Sequence, residues 1–200
     1  VNAVAAGICR TKIKKKFNGD VKKVFPVLIH GDAAISGQGV VYEFSQMSQL
    51  KGYQTGGTLH IVINNQVGFT TNYLDARSST YCTDVAKITH SPVLHVNGDD
   101  VEALLHAISF AINYRQTFNK DVFIDLLCYR KYGHNEGDEP RFTQPKLYSI
   151  IEKHPNPYEI YNQHLILINQ ISSDFSKKIQ DNFKSILEEK LIIAKRNKKT

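Results

Sequence analysis

The sequence is poor in cysteine and has no long apolar run. Its three cysteines, Cys9, Cys82 and Cys128, are far apart and form no CxxC pair. This argues against a zinc module and against a disulfide framework, and it favours a reducing compartment. Since no apolar run approaches the length that crosses a bilayer, we expect no membrane partner.

The N-terminus lacks the features of a secretory signal, because no basic segment is followed by an apolar stretch and a small-residue cleavage site. The first residue is Val1 rather than Met, which leads us to expect a fragment or a processed chain. Six prolines and twelve glycines in 200 residues give no sign of disorder. The length suits one domain, with or without an appendage.

Several common active-site motifs are also absent. The sequence has no GxxxxGK[ST] loop for a nucleoside triphosphate, no HExxH zinc motif and no GxSxG nucleophile turn. Gly37-Gln38-Gly39 lacks the third glycine of a dinucleotide-binding fingerprint. The chemistry of these motifs is therefore not predicted here.

Charge is distributed unevenly along the chain. Residues 10–23 hold seven Lys/Arg and one acid, and residues 177–199 hold eight and three, so the net charge of +6 comes from two flanks around an acidic centre. Such flanks can bind nucleic acid. We interpret them as solvated faces, because aromatic interleaving and a known nucleic-acid-reading motif are both missing.

Strand-like and helix-like segments alternate along most of the chain. Apolar runs predict strands over residues 23–30, 58–63, 91–100 and 121–130. Helical periodicity predicts helices over residues 35–52 and 99–119, and the segment 68–84 is predicted to be a long loop. The predicted apolar face of the first helix includes Leu50, and that of the second includes Leu105 and Ile112. This alternation is typical of an α/β fold with a doubly wound, mostly parallel sheet covered on both faces.

The composition changes after this region. From Pro157 onward the sequence consists of amphipathic, Lys-rich helical segments with a break at Ser172-Ser173. We therefore divide the chain into an α/β domain over residues 1–156 and a helical extension or linker over residues 157–200.

Oxygen-bearing side chains follow two of the predicted strands, at Asp32 and at Asn64-Asn65. Ligands of an open parallel sheet bind at the carboxyl ends of its strands. Mg²⁺ is often held by one or two carboxylates together with other oxygens, water and phosphate. Small residues at Ala33-Ala34 leave free helical N–H groups accessible to a phosphate. The pattern indicates a magnesium–diphosphate site, and ordinary turns with an N-cap are the structural alternative.

Longer segments carry a resemblance to a known family. GDAA followed about thirty residues later by NNQVGF is similar to the thiamine diphosphate signature, with Ala33 where the usual residue is glycine. The segments HGDAAISGQGVVYE, IVINNQVGFTT, DARSSTYCTD, RQTFNKDVFIDLLCYRKYGHNEGDEPRFTQP and KHPNPYEIY closely resemble the decarboxylating first component of 2-oxoglutarate dehydrogenase complexes. The resemblance covers about residues 1–165. It implies that residues 1–156 are a thiamine diphosphate- and magnesium-binding domain, incomplete at its N-terminus.

The resemblance also implies a set of metal ligands. Carried over by position, Asp32 and Asn65 bind Mg²⁺ through side-chain oxygens, and Val67 binds it through the backbone carbonyl. Asn64 is their neighbour and is not assigned as a ligand.

Further residues are implied for the diphosphate. Gly31 and Ala33 are expected to lie against it, together with the metal ligands Asp32 and Asn65. His134, in YGHNEGDEP, matches a family loop that closes over the phosphate end of the cofactor, and it is the expected catalytic residue. A solvent-facing loop histidine is the alternative.

The implied activity is thiamine-diphosphate-dependent decarboxylation of 2-oxoglutarate, with acyl transfer to the lipoyl-bearing succinyltransferase component of the complex. The full-length chain is expected to form a homodimer in a bacterial cytoplasm or a mitochondrial matrix. In related enzymes the carboxylate that activates the pyrimidine ring and the substrate-binding histidines lie in segments that this chain does not match. We therefore expect the 200 residues alone to be inactive.

Two other functions stay open at this point. One is a paralogue that acts on a longer 2-oxo diacid such as 2-oxoadipate, because most of the substrate pocket lies elsewhere. The other is a non-catalytic α/β scaffold whose basic arms bind nucleic acid.

Three side chains near the predicted site are ambiguous in the sequence. Arg77 either meets an anion in the long loop or pairs with Asp75 or Asp84. His30 either lines the site or caps its strand. His95 is interpreted as a structural residue.

Overall fold

The computed structural model describes residues 1–196 and contains two compact units, Val1–His154 and a second one that begins at Pro155. The helices are α1 (Asn2–Lys16), α2 (Asp32–Gly37), α3 (Gly39–Met47), α4 (Tyr73–Ala76), α5 (Val101–Phe118), α6 (Pro145–Ile151), α7 (Pro157–Leu167) and α8 (Ser173–Arg196). The strands are β1 (Val27–Gly31), β2 (Leu59–Asn64), β3 (Val67–Gly68), β4 (Thr71–Asn72), β5 (Val93–Asn97) and β6 (Val122–Leu127). Short 3₁₀ helices lie at Val21–Lys23, Cys82–Thr89 and Pro140–Phe142.

Four strands form a sheet in the order β1-β2-β6-β5, and every neighbouring pair is parallel. Gly31 at the end of β1 is in register with Ile63, and Asn64 at the end of β2 is in register with Leu127. The carboxyl ends of all four strands therefore lie along one edge of the sheet. The predicted α/β fold with a parallel sheet is confirmed.

Apolar side chains pack on both faces of the sheet. One buried cluster contains Leu59, Val96, Ala111, Val122 and Ile124, and α5 covers it. The other contains Ile35, Val41, Val62, Cys82, Ala86 and Phe123, from the strands, α2, α3 and the 3₁₀ helix that follows α4. Because successive side chains of a strand point to opposite faces, Val122 and Phe123 belong to different clusters.

The helix predicted over residues 35–52 is wrong in its bounds. The structure has two helices, α2 from Asp32 and α3 to Met47, which are separated by extended backbone at Gln38 (φ −105°, ψ 120°). Gly37 and Gly39 flank the break, and glycine is a poor helix former because helix formation costs it much backbone freedom. Leu50, assigned to the apolar face of this helix, is 51% exposed.

Two other segments differ from the sequence prediction. The loop predicted over residues 68–84 contains the β3–β4 hairpin, which pairs Val67 with Asn72, and the short helix α4. Helix α1 was not predicted at all, because only Cys9 and Ile13 of its fifteen residues are buried and its basic residues hide this narrow apolar face.

Helices α7 and α8 form the second unit, and the predicted break at Ser172-Ser173 lies between them. Helix α7 begins with a capping box in which the side chains of Asn156 and Glu159 bond to each other's backbone N–H. Residues 197–200 of the predicted extension lie outside the described residues. The assignment of residues 1–156 to a cofactor-binding domain stays a prediction.

Within residues 1–196, no helix has both the length and the apolar character that a membrane span requires.

Candidate functional site

Three oxygen-bearing groups meet where β1 and β2 end. Asp32 is the first residue of α2, directly after β1, and Asn65 and Val67 follow β2. The end of the Asn65 side-chain amide lies 3.3 Å from Asp32 Oδ1 and 2.9 Å from the Val67 carbonyl oxygen. The fold therefore brings the three predicted metal ligands together, although thirty-five positions separate the first from the last.

The orientation of the Asn65 amide decides what this cluster can hold. With its nitrogen toward Asp32 and Val67, the amide donates hydrogen bonds to both of their oxygens. With its oxygen toward them, three oxygens face one another, and this arrangement is repulsive unless a cation lies among them. A half-turn of one amide thus converts a hydrogen-bonded cluster into an all-oxygen donor set.

The donor chemistry suits a hard divalent cation. Within residues 1–196, no group of three or more His, Cys, Asp or Glu side chains is placed to hold a metal ion. One carboxylate with an amide oxygen and a carbonyl oxygen is a different kind of set. It matches the preference of Mg²⁺ for few protein oxygens, with water and phosphate completing the octahedron. The residues present therefore fit magnesium.

Arg77 lies on the other side of the Asp32 carboxylate. Its Nη1 is 3.7 Å from Asp32 Oδ2, and the two side chains are 8% and 3% exposed. Burial raises the pKa of Asp32 above its ordinary value, and the positive charge of Arg77 opposes this rise. Arg77 therefore favours the ionised form of Asp32 that a metal requires.

The ion pair of Arg77 differs from both pairs considered in the sequence. Its acidic partner is Asp32, not Asp75 or Asp84. Asp84 instead pairs with Lys87, at 2.7 Å. Asp32 lies 45 positions before Arg77, so sequence proximity did not reveal this partner.

Small residues surround the start of α2. A Cβ atom at Gly68 would lie 2.7 Å from Ala33 Cβ, so Ala33 fits here only because residue 68 is glycine. No atom lies within 4 Å of the position that a Cβ would take at Gly31. Since α2 has six residues, its free N–H groups rather than a long helix dipole would contact a phosphate.

His134 lies in the loop between β6 and α6. Its ring centroid is 5.0 Å from that of Phe69, in the turn between β3 and β4. The His134 backbone N–H donates to Asp138 Oδ2 at 2.8 Å, and Asp138 Oδ2 lies 3.8 Å from Arg130 Nη2. Phe69 follows Val67 by two residues, so this loop contacts the hairpin that carries the site carbonyl. The catalytic and phosphate-binding roles of His134 stay predictions.

A cleft of about 440 Å³ opens at the ends of β2, β5 and β6, and Asp125 lies at its base. Asp125 is buried and accepts hydrogen bonds from Asn64 Nδ2 (2.9 Å) and from His95 Nδ1 (2.8 Å). Because an ionised carboxylate only accepts hydrogen bonds, His95 Nδ1 carries a proton. The His95 side chain is 45% exposed and packs on the Tyr81 ring, 4.3 Å between centroids.

The sequence interpretation of His95 as a structural residue missed its place in this cleft. A usable signal was present, since Asp125 interrupts the apolar strand VFIDLL. A carboxylate inside a buried strand needs a hydrogen-bonding or charged partner. The sequence could not say which residue of a neighbouring strand would supply it.

His30 is buried and contacts a second histidine. Its Nε2 lies 3.0 Å from Nδ1 of His60, which is fully buried. Burial and the second imidazole lower the pKa of His30 to about 4. His30 is therefore neutral at neutral pH.

Comparison with known proteins identifies relatives across the whole chain. The family model for the dehydrogenase E1 component matches residues 3–200. The 2-oxoglutarate dehydrogenase E1 component of Rickettsia felis is 50% identical over 200 residues, which is 99% of this chain and 20% of that protein. The oxoglutarate dehydrogenase of Buchnera aphidicola is 50% identical over 189 residues, 94% of this chain and 21% of that protein. The 2-oxoglutarate dehydrogenase E1 component of Azotobacter vinelandii is 49% identical over 189 residues, which is 94% of this chain and 20% of that protein. The chain thus spans about a fifth of the length of the curated relatives that it matches.

Proposed function

The chain belongs to the dehydrogenase E1 component family, and we propose that it forms the part of a 2-oxoglutarate dehydrogenase first component that holds Mg²⁺ and the diphosphate of thiamine diphosphate. The observation that carries this proposal is the convergence of Asp32, Asn65 and Val67 at 2.9–3.3 Å. Family membership supports thiamine diphosphate as the cofactor, and the donor set of this site supports magnesium.

Each residue of the site has a distinct part in this proposal. Asp32 contributes the negative charge, Asn65 an amide oxygen and Val67 a carbonyl oxygen to the cation. Arg77 favours the ionised form of the Asp32 carboxylate, against the effect of its burial. The His134 loop, which contacts Phe69, would cover the phosphate end and exclude water from it.

Bound thiamine diphosphate supplies the electron sink that allows a 2-oxo acid to lose carbon dioxide. The residues of this chain bind and orient the diphosphate end, which fixes the position of the reactive ring. The names of the relatives favour 2-oxoglutarate over 2-oxoadipate as the substrate. The lipoyl-bearing succinyltransferase as acyl acceptor, the homodimer and the catalytic role of His134 are parts of the same proposal.

The test is binding of Mg²⁺ with thiamine diphosphate, and of Mg²⁺ with inorganic pyrophosphate, followed by calorimetry and by the melting temperature. We expect both to bind and to raise the melting temperature, and EDTA to abolish the effect. Asp32→Ala should weaken magnesium-dependent binding at least about tenfold, because it removes the only charged ligand assigned to the metal. Asn65→Ala should act in the same direction, and Asn64→Ala less strongly.

The matched control is Asp181→Ala, which removes an exposed carboxylate from α8. It should leave magnesium-dependent binding unchanged. Unaltered binding by Asp32→Ala would show that the ligand assignment is wrong.

The nucleic-acid-binding alternative depends on the basic flanks. Lys12 and Lys14–Lys16 are exposed on α1, which a solvated face explains equally well. Binding of a DNA or RNA duplex that weakens steeply with salt would support this alternative. No gain in melting temperature from magnesium and thiamine diphosphate would be expected in that case.

A further inference from the structure

Strand β1 forms one edge of the four-stranded sheet, and its outer side is unpaired. Its partner in the sheet is β2. The Leu59 N–H donates to the Pro26 carbonyl oxygen at 3.1 Å, so Pro26 and every second residue after it face β2. The N–H and C=O groups of Val27 and Ile29 therefore point along the free edge. Within residues 1–196, no backbone group bonds to them there.

One face of β1 is exposed as well. Val27 is 46% exposed and Ile29 is 71% exposed, whereas Leu28 and His30 on the other face are buried. All-parallel sheets are normally covered on both faces, and native edge strands are normally protected by charged residues or proline. The strand sequence VLIHG contains no Lys, Arg, Asp, Glu or Pro. The edge therefore lacks the usual protection against pairing with another strand.

The opposite edge of the sheet, β5, is covered differently. Val93 and Leu94 are partly buried, and Val96 is buried. His95 is the most exposed of its neighbours, and the Tyr81 ring packs on it. The contrast between the two edges identifies β1 as the side at which the sheet is incomplete.

The crossovers of the sheet indicate where a further strand belongs. The connection from β1 to β2 runs through α2 and α3, which pack on the face that contains Phe123. The connection from β5 to β6 runs through α5, on the face that contains Val122. The strand order β1-β2-β6-β5 makes these two connections run in opposite directions. Opposite directions on opposite faces are what right-handed crossovers require.

Helix α1 extends this pattern, because it directly precedes β1 and packs against α3. Ala6 and Gly7 of α1 line a cavity together with Phe44 and Met47 of α3, so α1 lies on the same side of the sheet as α3. A right-handed crossover through α1 must run in the same direction as the one from β1 to β2. The strand that leads into α1 would therefore lie beside β1, on its free edge.

We propose that the free edge of β1 binds a fifth parallel strand, formed by the segment of the longer polypeptide that immediately precedes α1. This strand pairs its backbone with Val27 and Ile29, and it is apolar because it continues a parallel sheet with a buried face. This chain spans about a fifth of the length of its curated relatives, which leaves enough polypeptide to supply the strand. The inference does not depend on the proposed cofactor site.

The test is hydrogen–deuterium exchange of single amides in the full-length protein. Leu28 and His30 are internal controls, because their amides face β2 whether or not a fifth strand is present. We expect Val27 and Ile29 to exchange within about tenfold of these controls. Exchange of Val27 and Ile29 at least about a hundredfold faster than the controls is the signature of a free edge and overturns the proposal.

Two shorter chains identify the occupant of the edge. A chain lengthened by about twenty natural residues before Val1 has room for a strand and its connections. We expect its Val27 and Ile29 amides to be protected, and the same amides of the 200-residue chain to exchange rapidly. Protection in the full-length protein alone would assign the edge to another segment, and concentration-dependent protection in the 200-residue chain would assign it to a second copy. Either result overturns the proposed occupant.

Ile29→Lys tests the contribution of the exposed face. In the lengthened chain it should lower the melting temperature and speed exchange at Val27, because the added strand would bury the charge. In the 200-residue chain it should leave the melting temperature close to that of the wild type. Ile150→Lys is the matched control, since Ile150 is 65% exposed on α6, and it should not change exchange at Val27. Equal effects of Ile29→Lys in both chains would contradict the proposal, and exchange in the unsubstituted protein decides if this variant does not fold.

Discussion

His30 Nε2 lies 3.0 Å from His60 Nδ1, and the two rings are stacked with centroids 5.2 Å apart. The stack continues from His60 onto Phe123, at 4.1 Å and 5° between planes. His30 lies on β1, two residues before Asp32, and His60 lies on β2. Burial and the neighbouring imidazole of His60 disfavour an added proton on His30.

We predict that this pair makes stability depend on pH. The pKa of His30 is about 4 in the folded chain and near 6.5 in the unfolded chain. Between these values the unfolded chain binds a proton that the folded chain does not. His30 therefore does not lower the free energy of unfolding above about pH 6.5. As the pH falls toward 4, this free energy decreases by up to about 3 kcal/mol.

Urea unfolding at pH 7, 5.5 and 4 in metal-free buffer measures this effect. His30→Gln should flatten the dependence, because glutamine does not titrate. His164→Gln, at an exposed position of α7, is the control and should keep the wild-type slope. A wild-type slope in His30→Gln would contradict the prediction.

The contact between Ala33 and Gly68 predicts a compensating pair of substitutions. Gly68→Ala places a Cβ 2.7 Å from Ala33 Cβ, so we expect a destabilisation of about 1–3 kcal/mol from overpacking. Because the clash displaces the hairpin that carries Val67, magnesium-dependent binding should weaken as well. Ala33→Gly in the same chain should restore both.

Gly37→Ala is the control for this pair, since no atom lies within 4 Å of its Cβ position. It should leave the melting temperature and cofactor binding close to those of the wild type. Failure of Ala33→Gly to rescue Gly68→Ala would show that the contact does not decide the local structure.

The loop that carries His134 is predicted to depend on Asp138. Asp138 accepts a hydrogen bond from the His134 backbone and faces Arg130, so Asp138→Ala removes both interactions. We expect cleavage by a protease within residues 131–139 to become about tenfold faster or more, with little change in the melting temperature. Glu136→Ala, at an exposed position of the same loop, is the control and should be cleaved at the wild-type rate. Equal cleavage rates for the two variants would contradict the role of Asp138.

Substitution of Arg115, a residue away from the site, is predicted to have a large effect on stability. Its side chain is fully buried on α5 and donates to the carbonyl oxygens of Val24, Thr55 and Gly57 at 2.9–3.0 Å. Arg115→Met leaves these acceptors without a donor, so we expect a loss of about 3 kcal/mol or more in the free energy of unfolding. Arg141→Met, at an exposed position, should change the free energy of unfolding by less than about 0.5 kcal/mol. Denaturant unfolding of the two variants measures the difference.

The sequence predicted the parts of the structure that depend on local periodicity. The strands are apolar runs, and α5 begins where Asp100 caps it by accepting from the Ala103 N–H, so both are visible in a single segment. The apolar face predicted for α5 was partly wrong, because Leu105 and Ile112 are 57% and 39% exposed. Periodicity shows which side of a helix is apolar, and the sheet that lies beneath decides how much of that side is covered.

The sequence by itself determined a parallel sheet with oxygen-bearing residues after β1 and β2, because chain order and strand ends are local properties. Tertiary structure alone decided that Arg77 faces Asp32 and that His95 bonds to Asp125. Ion pairs and hydrogen bonds act over a few ångströms in space, and residues 45 and 30 positions apart reach that distance only after the strands have paired.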